Sequence, residues 1–131
     1  MRIAQRGQIV FRDRARQIRD FSGLLFGNIT PTDIDGLIEY HGKAYVFIEL
    51  KFSGAQIPYG QKLALERLVD DLRLAGKPSL CIIAEHNAMN TEDDIDVANA
   101  IVIEYRQKGK WLSPHKEYRV SEMVEKFLEL V

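Results

Sequence analysis

The chain has 131 residues, of which 46% are hydrophobic and 28% are charged, an ordinary balance for one soluble globular domain with a packed core. A formal net charge of −1 argues against binding nucleic acid through bulk positive charge. No apolar run approaches the roughly 18 residues of a membrane span, and the N-terminus lacks the apolar core of a signal peptide. We therefore expect a cytoplasmic protein with no membrane partner, whose single cysteine, Cys81, is a buried thiol.

The N-terminal segment, positions 1–20, is basic, with six arginines against two aspartates, so the rest of the chain carries a net negative charge. A helix over residues 8–20 would bury an apolar stripe at spacing i, i+4, i+7, formed by Phe11, Ala15 and Ile18. A basic stripe would lie beside it, formed by Arg12, Arg16 and Arg19. Because arginine pairs with phosphate in a forked geometry, this stripe is either a contact surface for a DNA backbone or a solvated helix face.

A β-hairpin is predicted next, with strands from Gly36 to Tyr40 and from Tyr45 to Leu50. Side chains alternate across a strand, so one face of the second strand is expected to carry Tyr45, Phe47, Glu49 and Lys51. The other face is predicted to be core and carries Val46, Ile48 and Leu50. A hairpin brings the start of its first strand beside the end of its second, so Asp35 is expected near Glu49 and Lys51.

The rest of the chain alternates between helices and strands. A helix is predicted from Tyr59 to Ala75, with an apolar stripe formed by Leu65, Leu68, Val69 and Leu72. Its Gln61 is expected to point toward the sheet from the first turn, whereas four polar residues are predicted to face water: Lys62, Glu66, Asp70 and Arg73. The remaining predictions are strands Ser79–Glu85 and Ala100–Tyr105, a short edge strand at Trp111 and Leu112, and a final helix with Ser121 as N-cap. This order predicts an α/β fold with a mixed central β-sheet flanked by helices.

Asp35, the run Glu49-Leu50-Lys51 and Gln61 on the next helix together resemble the PD-(D/E)xK nuclease superfamily. The resemblance covers about residues 32–74 and implies a restriction-endonuclease-like core. It implies that Asp35 and Glu49 ligate Mg²⁺, which Mn²⁺ can replace, with the Leu50 backbone carbonyl as a third ligand. It further implies that Lys51 orients the attacking water and stabilises charge on the phosphorane, while Gln61 matches a glutamine that several branches of the superfamily carry.

The acidic position before the first strand has two candidates, because Asp33 also precedes that strand and is a substitute ligand for Asp35. The chain also departs from the superfamily in one respect. Many members carry a glutamate on the first helix, whereas the N-terminal segment here contains no glutamate.

The expected function is Mg²⁺-dependent hydrolysis of phosphodiester bonds in DNA, with structured or branched DNA as a candidate substrate. The small size leaves no room for a separate recognition domain, so recognition is expected from DNA shape, from a homodimer or from a larger nucleic-acid-processing complex. Two alternatives stay open. One is a catalytically inactive nucleic-acid-binding module of the same fold, and the other is a protein-interaction domain in which Glu49 and Lys51 pair with each other.

Overall fold

The structure is a computed structural model that describes residues 6–9, 11, 13 and 16–131. The chain divides into two compact units, Met1–Asp33 and Ile34–Val131. In the described part of the first unit, Phe26 and Ile29 form a short antiparallel bridge around Gly27, whose φ is positive at 63°. Two backbone hydrogen bonds of 2.9 and 3.0 Å join these bridge residues.

The predicted helix over residues 8–20 does not reach its predicted end, because residues 17–20 have no helical structure. Phe11 and Ile18 were expected to be buried, but their side chains are 71% and 78% exposed. A short helix is marginal in water unless an apolar face packs on something, and these exposed side chains provide no such packing. Arg12 and Ala15 lie outside the described residues, so the basic stripe is described only at Arg16 and Arg19, both of which are exposed.

The second unit contains a five-stranded sheet in the order β1-β2-β3-β4-β5. Its elements in chain order are β1 (Gly36–Tyr40), β2 (Ala44–Phe52), α1 (Tyr59–Leu74), β3 (Ser79–His86), a 3₁₀ turn (Val97–Asn99), β4 (Ile101–Gln107), β5 (Lys110–Leu112) and α2 (Val120–Glu129). Strands β2 and β3 are parallel, and the other neighbouring pairs are antiparallel. The predicted mixed α/β sheet is thus confirmed.

Helices cover the sheet on both faces. On one face, Val46 and Ile48 of β2 belong to a buried cluster with Val120 and Phe127 at helix α2. On the other face, the buried cluster consists of Phe47, Leu65, Val69 and Cys81, and it joins the sheet to α1. The alternation predicted for β2 is confirmed, since consecutive residues of this strand belong to opposite clusters. Both faces are apolar because both are covered.

One local prediction is wrong, and another holds only in part. Helix α2 begins at Val120 with Arg119 as its N-cap residue, where Ser121 was expected. The Arg119 backbone N–H donates to the Glu122 side chain over 3.0 Å. A glutamate in the first turn thus accepts a hydrogen bond from the backbone N–H of the N-cap residue. The polar residues of α1 do not simply face water, because several of them contact β4 and β5. Neither helix of the described residues has the length and apolar character that crossing a membrane requires.

Candidate functional site

The hairpin places Asp35 against the end of β2. Gly36, the first residue of β1, is paired with Ile48, so Asp35 comes directly before the strand, near the end of β2. The Leu50 backbone N–H donates to Asp35 Oδ2 over 2.8 Å. The Asp35 carboxylate is therefore fixed beside the backbone that connects Glu49 to Lys51.

Glu49 lies on the α1 face of β2 and is buried, with only 5% of the residue exposed. Its Oε1 accepts a hydrogen bond of 2.6 Å from Gln61 Nε2, which belongs to the first turn of α1. A buried carboxylate is costly to desolvate, so burial at this position requires compensating interactions. The contact joins the end of β2 to the start of α1, and Gln61 points toward the sheet as its spacing from Leu65 suggested.

Lys51 lies two residues beyond Glu49 and is held by two groups. Its Nζ donates to the Ala55 carbonyl oxygen over 2.8 Å and lies 3.5 Å from Glu85 Oε2. The side chains of Lys51 and Glu85 are 18% and 23% exposed. Sequence reasoning did not select Glu85. The available signal was its place at the end of a buried strand, because the ends of parallel strands meet at one edge of a sheet.

The oxygen ligands at this edge fit Mg²⁺ or Mn²⁺, which prefer carboxylate, carbonyl and water oxygens. Asp35, directly before β1, and Glu49, in β2, provide two carboxylates. Among the described residues, no group of three or more His, Cys, Asp or Glu side chains could hold a metal ion by itself. Mg²⁺ commonly binds through one or two carboxylates and completes its shell with water and substrate phosphate, so two carboxylates suffice for such a site.

Helix α1 is fastened to the sheet by polar contacts on the side away from Glu49. Three pairs make these contacts: Lys62 with Glu104, Glu66 with Trp111, and Asp70 with Arg106. Arg106 bonds both carboxylate oxygens of Asp70 at 3.0 and 2.7 Å. These bonds lower the pKa of Asp70, against a smaller opposing effect of burial. The contacts fix the helix that carries Gln61.

Cys81 is fully buried in the cluster beneath α1. Burial raises the pKa of its thiol to about 12, and the negative charges of Glu49 and Glu104 add to the increase. A thiolate is required for nucleophilic attack or metal binding by cysteine. Cys81 is therefore a neutral, inert thiol near pH 7, and the chemistry of this site belongs to its oxygen and nitrogen groups.

An open groove of about 810 Å³ lies beyond the end of β3 and includes Ser53, Glu85 and His86 in its lining. The loop after β3 adds three carboxylates to this lining, from Asp93, Asp94 and Asp96. Glu85, which pairs with Lys51, is thus also part of the groove lining. Its acidic lining disfavours phosphate in the absence of a cation.

All residues of this constellation belong to the second unit, Ile34–Val131. The substitute ligand Asp33 and the arginines Arg16 and Arg19 belong to the first unit and are exposed. Arg12 lies outside the described residues. The structure brings together Asp35, Glu49, Lys51 and Gln61, and it adds Glu85.

Comparison with known protein families, curated proteins and solved structures found no significant match to this chain. The function is therefore argued from the constellation itself.

Proposed function

We propose that this protein is a metal-dependent nuclease that hydrolyses phosphodiester bonds in DNA, built on a restriction-endonuclease-like core. The observation that carries the proposal is the 2.8 Å hydrogen bond from the Leu50 N–H to Asp35. It sets a second carboxylate beside Glu49 and Lys51, at the end of one strand. Two carboxylates and a lysine at such a point suit a divalent cation together with a phosphate.

Asp35 and Glu49 would hold Mg²⁺ or Mn²⁺, with the Leu50 carbonyl as a further ligand. The ion would supply Lewis-acid polarisation of a phosphoryl oxygen and would lower the pKa of water. Gln61 holds Glu49 by the 2.6 Å hydrogen bond and thereby orients one ligand.

Lys51 provides a fixed positive charge two residues after Glu49 in the same strand. Residues two apart in a strand project from the same face, roughly 7 Å apart. The Lys51 amine therefore lies on the Glu49 face, where it orients a water molecule and stabilises the negative charge that develops on phosphorus oxygens. An interaction that is stronger in the transition state raises kcat more than it raises substrate affinity.

Recognition of DNA would rest on its backbone and shape. The N-terminal segment supplies six arginines, and phosphate contacts position a duplex without reading its sequence. Structured or branched DNA is a candidate substrate class, since contacts to the backbone respond to the shape of a nucleic acid and not to its sequence. A homodimer or a partner protein would enlarge that surface.

The test is cleavage of a panel of single-stranded, duplex, flapped and four-way DNA in Mg²⁺ or Mn²⁺, with the parent and Lys51→Ala. We expect the variant to lose cleavage while its binding of metal and DNA stays near that of the parent. Lys77→Ala is a matched control, because Lys77 also donates to a backbone carbonyl, that of Gly42, at the opposite edge of the sheet. Cleavage by folded Lys51→Ala at the parental rate would contradict the mechanism.

A protein-interaction domain, expected with Glu49 and Lys51 paired to each other, stays the alternative, because the Lys51–Glu85 pair shows that this lysine can serve to stabilise the fold. In that case Mg²⁺ would not change the melting temperature, and no member of the panel would be cleaved. An inactive nucleic-acid-binding module would bind the panel without cleaving it.

A further inference from the structure

We propose that Glu85 is a positioning residue that holds the Lys51 amine at the site, an inference that rests on the proposed nuclease function. Nothing in the run Glu49-Leu50-Lys51 points to Glu85, which comes much later in the chain, after the whole of helix α1. The parallel pairing of β2 with β3 sets Lys51 directly beside Glu85. The Glu85 carboxylate then lies 3.5 Å from Lys51 Nζ.

Glu85 also closes the loop that follows β2. The Gly54 backbone N–H donates to Glu85 Oε2 over 3.0 Å, and the Ser53 N–H donates to the His86 carbonyl over 2.9 Å. Gly54 has a φ of +83°, a conformation that side chains rarely adopt. The tight turn presents the Ala55 carbonyl, which accepts from Lys51 over 2.8 Å. The Glu85 carboxylate thus contacts the lysine directly and also fixes the loop that carries the Ala55 carbonyl.

The two contacts of the Lys51 amine, with Glu85 and with the Ala55 carbonyl, matter because a lysine side chain is long and flexible, and ordering it costs conformational entropy. A catalytic charge acts best when it is in place before the reaction begins. Both partners of the pair are more than three-quarters buried, so water weakens their attraction less than it would at an exposed pair. Glu85 therefore acts on the reaction through Lys51 and need not touch substrate or metal.

The experiment compares Glu85→Gln with the parent. The amide oxygen of glutamine still accepts from Gly54, so the loop contact is retained while the charge that attracts Lys51 is removed. Glu66→Gln is a matched control: Glu66 also accepts one N–H, from Trp111 over 2.8 Å, and also lies 3.5 Å from a cationic group, that of Arg106. We expect Glu85→Gln to lower kcat by about 10- to 100-fold, the scale of a small misplacement of a reacting group, with KM unchanged. Glu66→Gln should keep the parental kcat.

A second readout follows the lysine itself, whether or not DNA is cleaved. In ¹⁵N spectra of the side-chain ammonium groups, the Lys51 signal is assigned by its loss in Lys51→Ala. We expect slow proton exchange with water at this signal in the parent and fast exchange in Glu85→Gln. Fast exchange in the parent would overturn the inference even if the variant failed to fold.

The outcomes separate the two proposals. A parent that cleaves DNA while folded Glu85→Gln keeps its kcat would overturn the role of Glu85 alone. A parent that cleaves no DNA of the panel with either metal would overturn the proposed function, and the inference with it.

Discussion

Replacing Glu49 by glutamine should stabilise the protein in the absence of metal while removing its response to metal. Glu49 is 5% exposed and shares a face with Phe47 and Cys81, so its negative charge is largely removed from water. Glutamine has nearly the same shape and still accepts from Gln61, so the substitution removes the charge and keeps this hydrogen bond. The negative charge of Glu49 acts on neighbouring groups, because it contributes to the raised pKa of the Cys81 thiol.

The size of the effect follows from two opposing terms. Desolvation of a buried charge costs several kcal/mol. A hydrogen bond to a charged acceptor is about 1 kcal/mol stronger than one to a neutral acceptor. We expect a net stabilisation of about 1–2 kcal/mol in Glu49→Gln. At roughly 4 °C per kcal/mol for a domain of this size, the melting temperature should rise by about 4–8 °C.

Metal should close most of this gap in melting temperature. A ligand at ten times its Kd stabilises the folded state by about 1.4 kcal/mol. Mg²⁺ should therefore raise the melting temperature of the parent by roughly 6 °C and leave that of Glu49→Gln almost unchanged. The assay is a pair of thermal melts in EDTA and in excess MgCl₂. The reasoning fails if the variant melts below the parent in EDTA, or if Mg²⁺ raises both melting temperatures equally.

Two further predictions concern charge. Replacing Arg12, Arg16 and Arg19 by alanine should weaken DNA binding without sequence bias and flatten its salt dependence, as measured by fluorescence anisotropy across a salt series; an unchanged slope would show a solvated surface only. Asp70→Asn should cost up to about 1 kcal/mol at neutral pH, because the pair with Arg106 is partly exposed. The pKa of Asp70 is lowered in the fold, so its contribution is full above the ordinary value of 3.8 and is lost as pH falls through the lower, folded value. The gap in melting temperature between parent and Asp70→Asn should therefore narrow below about pH 4, and a constant gap would contradict this.

The sequence predicted the sheet and its faces well, because alternating side chains and apolar runs are local properties. The bounds of β1, Gly36–Tyr40, match the expected strand, and Glu49 lies on the Phe47 face as expected. The contacts made by the polar side of α1 were harder to predict from the sequence. Glu66 contacts Trp111 across 45 positions of sequence, and the helical period alone cannot separate a polar partner from solvent.

The role of Glu85 at the site could not be predicted from the local pattern either. Its contact with Lys51 depends on which strands are neighbours and in what register, and neither property is written in the local pattern. The predicted N-terminal helix falls short of its expected end for a different reason. Spacing predicted a buried stripe, but burial requires a surface to pack against, and Phe11 and Ile18 are exposed.

The topology explains why one edge of the sheet gathers the constellation. An antiparallel hairpin returns the start of β1 to the end of β2, and a parallel crossover brings the end of β3 to the same edge. The charged groups that meet there are Asp35, Glu49 and Glu85 against Lys51, an excess of negative charge. At the opposite edge, Lys77 donates to the Gly42 carbonyl in the turn between β1 and β2. A phosphodiester would be repelled from the acidic edge and admitted only with a cation that offsets the carboxylates. The balance of charge at this edge thus agrees with the metal-dependent reaction that we propose, and Glu85 adds to it from outside the motif.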